Sequence, residues 1–204
     1  MARILMVLLV VLFFLGAVMI IRQAHNTHKL LPVDTEKPLD SEPFEEWREF
    51  TSAIGNFRVM LPAVPLHAEE SLPVPDSETV LKYNMYASET NDGATYMISL
   101  ITYPEAIDTS KPENMLENVM NEMTSANPTN KLRSLNFHEY LGHKALDFFI
   151  ESPEIVVSSR AFVSGKTLYL LTMIDKQEQY KEDEFLYFLN SFELLSDEAV
   201  QPAA

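Results

Sequence analysis

Histidines close to carboxylates are the side chains of this sequence that first suggest chemistry, because imidazole and carboxylate groups bind metal ions and transfer protons. His25 and His28 form an H-x-x-H pair, which a helix would place on one face, but no third ligand lies nearby. The other candidates fall in two short clusters, which are His67 with Glu69 and Glu70, and His138 with Glu139 and His143. Each cluster can receive a cation, whereas the common alternative is a set of solvated side chains. We therefore expect no metal site. If the chain does bind a metal, these residues are the candidate ligands.

Serine chemistry has less support than metal binding. Ser158 and Ser159 lie in a predicted strand and Ser164 precedes Gly165, but none of them lies in the G-x-S-x-G turn of α/β-hydrolases. The chain has no cysteine and only five glycines, no two of which are close enough to form a phosphate-binding loop. The sequence therefore predicts a protein that is not an enzyme and that has no cofactor.

An uninterrupted apolar run from residue 4 to residue 21 is the strongest single feature of the chain. As a helix it would be about 27 Å long, which is close to the thickness of the hydrocarbon core of a bilayer. Arg3 supplies the basic start of a signal peptide, but Arg22 lies two positions before Ala24, where a cleavage site needs a small residue. We therefore expect residues 1–22 to be an uncleaved signal anchor that contacts the lipid bilayer through residues 4–21. The alternative is a protein secreted after signal cleavage.

The charges beside the apolar run do not determine its orientation, since Arg3 and the α-amino group are balanced by Arg22 and Lys29. A short segment before the anchor and the whole folded mass after it favour a single-pass protein of the cell membrane whose C-terminal domain faces the periplasm or the exterior. Residues 23–43 are polar and contain three prolines, which predicts an acidic tether. The remainder is divided into one domain, residues 44–195, and a disordered tail, residues 196–204.

The net charge of −15 narrows the choice of partners. All thirty acidic residues follow the anchor, so the domain should repel both phosphate backbones and anionic lipid headgroups. Nucleic acid is thereby excluded as a partner, and the domain is expected to stand away from the bilayer. Because there is no cysteine, the fold must rest on its core, which an apolar content of 47% allows.

Strand periodicity predicts an antiparallel sheet after the tether. Asn91-Asp92-Gly93 has the composition of a hairpin turn, and Ser152-Pro153 and Ser164-Gly165 are two further tight connections. The predicted strands are residues 46–51, 56–61, 79–88, 95–103, 144–151, 154–163 and 166–175. Such short connections make consecutive strands antiparallel neighbours.

Two amphipathic helices are expected to cover this sheet. Ser110 and Glu113 have the spacing of a capping box, and Pro112 suits a first helical turn before an apolar stripe that ends at Pro128. A second helix is predicted to begin near Asp175, with apolar residues at helical spacing, which are Phe185, Phe188, Leu189 and Phe192. The fold class is therefore expected to be α+β, with an antiparallel β-sheet of about six or seven strands covered by helices and preceded by one N-terminal transmembrane helix.

Four segments resemble, in order, the conserved segments of the PsbP-like family of α/β/α sandwiches, which includes extrinsic photosystem proteins and small bacterial envelope proteins of unassigned role. They are FTSAIGNFRVMLPAVP (50–65), LGHKALDFFI (141–150), SSRAFVSGKTLYLLT (158–172) and FLNSFEL (188–194). They are similar to the family's glycine-aromatic strand ending in Leu-Pro, its Gly-x-x-Ala strand, its hairpin leading into a Leu-Tyr-x-Leu strand, and its closing Ser-Phe. The resemblance spans residues 46–195 and implies the PsbP-like α/β/α fold.

The resemblance also implies a non-enzymatic role, since members of the family mostly serve as assembly, scaffold or binding modules. No residue of this chain matches the functional residues of the photosystem members, so their ion-linked role is not carried over. We expect a membrane-anchored, extracytoplasmic binding or assembly module with a protein partner in the envelope. The alternative is a domain that binds a small ligand or a divalent cation through the histidine clusters, and a hydrolase ranks third.

Overall fold

A computed structural model describes residues 44–73 and 79–195, and the predicted anchor, tether and tail lie outside these residues. Residues 44–46 form a turn that belongs to the unit before Trp47, and every helix and strand below lies in the unit that begins at Trp47. None of the helices within the described ranges has the length and apolar character needed to cross a membrane.

The described residues form ten strands and two helices. The strands are β1 (Arg48–Ser52), β2 (Phe57–Leu61), β3 (Leu66–Pro73), β4 (Val80–Glu89), β5 (Thr95–Thr102), β6 (Lys131–Tyr140), β7 (His143–Glu151), β8 (Ile155–Ser164), β9 (Thr167–Lys176) and β10 (Glu193–Leu194). The helices are α1 (Pro112–Ser125), which lies between β5 and β6 in the chain, and α2 (Glu182–Ser191), which lies between β9 and β10.

The strands form two antiparallel sheets rather than the single sheet expected from the sequence. The larger sheet has seven strands in the order β3-β4-β5-β9-β8-β7-β6, and the smaller has three in the order β1-β2-β10. The prediction of antiparallel strands with two helices is confirmed. The prediction of one sheet is wrong, because β2 pairs with β1 on one side and with β10 on the other, in a sheet of their own. Periodicity indicates where strands occur, but it carries no information on which strands pair.

Three strands, β3, β6 and β10, occur where the sequence predicts none. Most side chains of β3 and β6 are exposed or half-buried, so neither strand has the regular alternation that marks a half-buried strand. The third, β10, has only two residues and is too short for a periodic signal. All three lie at the edge of a sheet, where packing imposes no regular apolar pattern.

Both helices depart from the predicted start signals. Pro112 is the first residue of α1, as predicted, but the preceding residue is Lys111, and no side chain caps the helix. The backbone N–H of Ser110 is instead bonded to a nearby aspartate side chain, so the predicted capping box is wrong. The second helix begins at Glu182 and not near Asp175, because β9 continues past Asp175.

The larger sheet is covered on both faces. On one face, α1 packs against β7 and β8 through its apolar stripe, whose buried residues are Leu116, Val119, Met120 and Met123. On the other face lie α2 and the small sheet, as the contact of Tyr96 with Phe188 and that of Tyr169 with Gly55 show. We call these two sides of the larger sheet the α1 face and the α2 face.

The core under the α2 face is aromatic and closely packed. Phe162 stacks on Tyr169 with ring centroids 5.0 Å apart, and the Tyr169 hydroxyl donates a hydrogen bond of 3.1 Å to the carbonyl of Gly55. A Cβ on Gly55 would lie 2.6 Å from the ring of Phe57 and 2.9 Å from Leu100. The connection between β1 and β2 therefore needs a glycine at this position.

Candidate functional site

The first predicted cluster, His67 with Glu69 and Glu70, lies on strand β3 rather than on a connection. Side chains alternate along a strand, so His67 and Glu69 lie on the α2 face and Glu70 on the α1 face. The ring of His67 stacks on Tyr86 with centroids 4.5 Å apart, and its Nε2 lies 3.0 Å from Oδ1 of Asn84. His67 is thus part of the packing between β3 and β4, and the fold does not bring the three candidates together.

The second predicted cluster is divided in the same way. His138, Glu139 and His143 flank the tight turn Leu141-Gly142, whose two residues have φ angles of 50° and 76°. His138 and His143 lie on the α2 face, whereas Glu139 lies on the α1 face. The ring of His143 stacks on Phe162 at 5.9 Å. The turn therefore joins two paired strands and does not gather the three side chains around one point.

No group of three or more His, Cys, Asp or Glu side chains is placed to hold a metal ion within residues 44–73 and 79–195. The predicted pair His25 and His28 lies outside the described residues.

A polar cluster that the sequence does not predict surrounds Asp147 on the α2 face. Arg160 donates two hydrogen bonds of 2.7 Å to Asp147, from Nε to Oδ1 and from Nη2 to Oδ2. The guanidinium lies over the ring of Tyr140, 4.5 Å from its centroid. Nε2 of His138 lies 3.0 Å from Asp147 Oδ1, although this contact is poorly aligned for a hydrogen bond. We call these four residues the Asp147 cluster.

Strand register brings the Asp147 cluster together. Asp147 lies directly opposite Arg160 in the pairing of β7 with β8, and His138 and Tyr140 lie on the same face of the neighbouring strand β6. Residues directly opposite one another on antiparallel strands share a face and come into contact. One signal was present in the sequence, since Asp147 and Arg160 have opposite charges and lie on the two predicted strands that flank the turn Ser152-Pro153.

The pKa values of two groups in the cluster, Asp147 and Tyr140, are shifted by their surroundings. Burial raises the pKa of the Asp147 carboxyl, but the guanidinium of Arg160 and the imidazole of His138 outweigh burial and hold that pKa below its ordinary value. Burial raises the pKa of Tyr140 to about 12, against the smaller opposing effect of Arg160. Asp147 is therefore a carboxylate and Tyr140 a neutral phenol at pH 7.

His138 is poorly placed to act as a general base. Its Nδ1 lies 3.0 Å from the backbone oxygen of Glu139, and its Nε2 faces the Asp147 carboxylate. A general base needs a nitrogen directed at the proton that it removes. Since both ring nitrogens face oxygen atoms of the protein, this geometry favours a structural role for the ring.

Two of the three candidate serines, Ser158 and Ser159, make hydrogen-bond contacts within the protein. Ser158 donates a hydrogen bond of 2.8 Å to the hydroxyl of Tyr180, and burial raises the pKa of that phenol. The hydroxyl of Ser159 lies 3.1 Å from that of Thr172 in the core of the sheet. Neither arrangement activates an oxygen for attack, since activation requires an adjacent base.

The outer edge of β6 is the second notable feature of this end of the sheet. Within the described residues, β6 pairs with β7 on one side and with no strand on the other. Such a strand presents backbone N–H and C=O groups to which another chain can add as a further strand. We call this free side of residues 131–140 the β6 edge.

An apolar strip on the α1 face accompanies the β6 edge. Leu135 and Phe137 lie opposite Phe148 and Leu146 of β7, both of which are buried. Leu135 itself is 50% exposed, and Phe137 is partly exposed. The strip is therefore a margin of the sheet that an added strand would cover.

The opposite edge of the larger sheet, formed by β3, is protected against such pairing. Glu69 and Glu70 occupy its centre, and Pro65 and Pro73 lie at its ends. Charged side chains and prolines are among the devices by which edge strands avoid pairing with other chains. The edge formed by β6 also has charged side chains, Lys131, Arg133 and Glu139, and an irregular pairing between Leu132 and Ser134, but they lie toward its ends and it has no proline. Each edge has one half-exposed leucine, Leu66 at 49% and Leu135 at 50%.

Comparison with known proteins finds a similarity in structure and none in sequence. No family model matches the sequence, and no curated protein matches it. Among solved structures, it is similar to the solution structure of cyanobacterial PsbP (CyanoP) from Synechocystis sp. PCC 6803, with a TM-score of 0.48 and 9% sequence identity. The similarity covers 78% of this chain and 99% of that chain. The function must therefore be sought in this chain's own contacts.

Proposed function

We propose that this protein is a non-enzymatic binding module of the cell envelope and that its β6 edge takes a protein partner in extended conformation. The observation that carries the proposal is the contrast between the two edges of the larger sheet. At its centre β6 has an apolar strip, Leu135 and Phe137, whereas β3 has two adjacent glutamates, Glu69 and Glu70, at its centre and a proline at each end. In strand addition, backbone hydrogen bonds supply affinity and alternate side chains supply specificity.

The Asp147 cluster supports this proposal by holding β6 in place. Tyr140, the last residue of β6, donates a hydrogen bond to the backbone oxygen of Leu189 in α2. The face of its ring makes a cation–π contact with the guanidinium of Arg160. Both contacts link the edge strand to elements deeper in the fold. A surface ordered before binding loses less conformational entropy when the partner arrives. The cluster therefore supports a binding edge. In agreement with this structural role, the charges of Asp147 and Arg160 are paired with each other.

We propose further that residues 4–21 hold the protein in the cell membrane, with the domain facing the periplasm or the exterior. The support is the length and uniform apolar character of the run. After alkaline extraction of membranes, the full chain should stay with the lipid, and a variant that lacks residues 1–22 but carries a cleavable signal should be released. Release of the full chain would contradict the anchor.

The binding role is tested by photo-crosslinking of the full chain in intact membranes. A photoreactive residue at Asn136 on the β6 edge should give a discrete protein adduct, whereas one at Ser71 on β3 should give none. Leu135→Lys should weaken the adduct from position 136, because it places a charge in the apolar strip. The matched control is Leu66→Lys, at an equally exposed leucine on β3, and it should leave the adduct unchanged. Equal adducts from both edges, or none from either, would contradict the proposal.

A further inference from the structure

We infer that the start of α2 is a clasp controlled by one proton, which closes on the larger sheet when Asp175 is protonated and loosens when Asp175 is ionised. The clasp consists of a buried carboxyl in β9, two further carboxylates that face it, and the hydrogen bond that holds the first turn of α2. It is separate from the β6 edge, so its test is independent of the proposed function.

Asp175 is a buried carboxyl near the end of β9. It lies six residues after Tyr169, so both side chains lie on the α2 face, and it is 6% exposed. The residue directly opposite it in β8 is the apolar Val156. Its Oδ1 accepts a hydrogen bond of 2.7 Å from the backbone N–H of Lys176. Burying a carboxylate is costly unless its charge is paired, so the charges that face Asp175 decide its state.

Those charges come from the β4–β5 turn and from the start of α2. The turn contributes Asp92, and the start of α2 contributes Glu184 and Lys181. Tyr96 of β5 donates a hydrogen bond of 2.9 Å to one oxygen of Glu184, and Nζ of Lys181 lies 2.7 Å from the other. One ammonium thus faces three carboxylates, which gives a net charge of −2 when all are ionised. We call these five residues the Tyr96 cluster.

Asp175 is the member of the Tyr96 cluster that holds a proton most readily. Burial raises the pKa of its carboxyl, and the charges of Asp92 and Glu184 raise it further, against the opposing effects of the Lys176 N–H and of Lys181. An exposed aspartate has a pKa of about 3.9. The closed clasp is therefore fully stabilised below about pH 3.9, and this stabilisation is lost as the pH rises through the folded pKa.

The first turn of α2 is the part of the clasp that is held least firmly. Asp175 is fixed in β9, which pairs with β8 at this position. The residue that precedes α2 is Lys181, and no side chain caps the helix. The turn therefore depends on the bond from Tyr96 to Glu184 and on the buried ring of Phe185. Moving the start of α2 outward separates Glu184 from Asp175, so ionisation of Asp175 favours that movement.

Trp47 is packed against both sides of the clasp. Its ring meets Tyr96 edge to face at 4.8 Å and Tyr187 of α2 at 5.2 Å. It is also the first residue of the unit that contains every helix and strand. Loosening the start of α2 should therefore also loosen the Trp47 contact, at the point where the chain enters this unit.

Hydrogen exchange of the full chain in detergent, between pH 4 and pH 8 and corrected for the intrinsic rate, tests the clasp. In the parent, the opening equilibrium of residues 182–188 should rise by about tenfold for each pH unit between about 3.9 and the folded pKa of Asp175, and should then level off. Asp175→Asn should keep at pH 8 the protection that the parent has at pH 4. Quenching of Trp47 fluorescence by acrylamide should follow the same course.

Two variants serve as controls. Asp183→Asn removes an exposed carboxylate from the same helical turn and should behave as the parent does. Asp92→Asn removes one of the facing charges but keeps the oxygen that accepts the hydrogen bond of Thr90. It should reduce the rise in opening without abolishing it, and it tests the same repulsion if Asp175→Asn does not fold.

The outcomes are decisive in both directions. A rise in the parent and in Asp183→Asn that is smaller in Asp92→Asn and absent from Asp175→Asn supports the clasp. A rise in Asp175→Asn equal to that of the parent, an unreduced rise in Asp92→Asn, or constant protection of the parent from pH 4 to pH 8 overturns it. An equal loss of protection in α1 overturns it as well, because that result would show loosening of the whole fold.

Discussion

Replacing Arg160 with methionine tests whether the Asp147 cluster supports the end of the sheet. The change removes the guanidinium and retains an unbranched side chain that packs against Tyr140. Removing one partner of a fully buried ion pair costs about 3–5 kcal/mol, because the other charge is left uncompensated. The cost should be smaller here, since Asp147 is 31% exposed and keeps His138 at 3.0 Å. Loss of the cation–π contact with Tyr140 adds about 0.5–1 kcal/mol. We therefore expect Arg160→Met to lower the free energy of unfolding by about 2–3 kcal/mol in total.

The measurement is urea denaturation of the full chain in detergent, with tryptophan fluorescence as the signal of unfolding. Trp47 is the only tryptophan, and it is buried between the rings of Tyr96 and Tyr187, at 4.8 and 5.2 Å. Its emission should therefore report the loss of the fold. For a domain of this size, about 2–3 kcal/mol corresponds to a fall in the melting temperature of roughly 4–12 °C.

The control is Arg58→Met, which breaks the ion pair with Glu193. That pair is as close as the one at Asp147, but its side chains are 44% and 53% exposed, so the midpoint should hardly change. Replacing both Arg160 and Asp147, the latter with leucine, should recover much of the lost stability, since no uncompensated charge remains. If Arg160→Met behaved like Arg58→Met, the cluster would have no supporting role.

The stability lost in Arg160→Met should depend on pH. The pKa of Asp147 is lower in the folded state than its unfolded value of about 3.9. Its stabilising contribution is therefore complete above that value and is lost as the pH falls through the folded pKa. The difference in stability between the parent and Arg160→Met should be constant near neutral pH and should narrow below about pH 4. A difference that persisted unchanged into acid would refute this account of the carboxylate.

Three further changes have expected effects on the same denaturation assay. Tyr96→Phe removes the 2.9 Å hydrogen bond to Glu184 and should cost about 1 kcal/mol, and no loss would show that water replaces the phenol. Burial, together with neighbouring carboxylates, raises the pKa of Asp175 in the folded state. The free energy of unfolding therefore falls as the pH rises through the folded pKa. Asp175→Asn should raise the urea midpoint at pH 7 and should give no gain below about pH 3.9. Gly55→Ala should cost about 1–3 kcal/mol by overpacking, whereas Gly142→Ala, with no atom within 4 Å but a φ of 76°, should cost about 1 kcal/mol, and equal effects would contradict the packing argument.

The interior strands of the larger sheet were predictable because burial leaves a pattern in the sequence. β4, β5, β7, β8 and β9 all contain buried apolar residues, and their short connections required antiparallel neighbours. The edge strands β3 and β6 were not predictable, since most of their side chains meet solvent. The two histidine clusters could be named from the sequence, but not their geometry. Because β3 and β6 are strands, Glu70 lies on the opposite face from His67, and Glu139 lies on the opposite face from His138.

The sequence by itself determined the periodic elements of this protein, its acidic character, its lack of cysteine and the apolar run of residues 4–21. Only the tertiary structure decided that β1, β2 and β10 form a separate sheet and that Asp147 contacts Arg160 and Tyr140. It also decided that β6 is the outermost strand of the larger sheet within the described residues. The reason is the range of the interactions. Periodicity is set by residues a few positions apart, whereas the choice of a strand's partner depends on contacts between residues far apart in the chain.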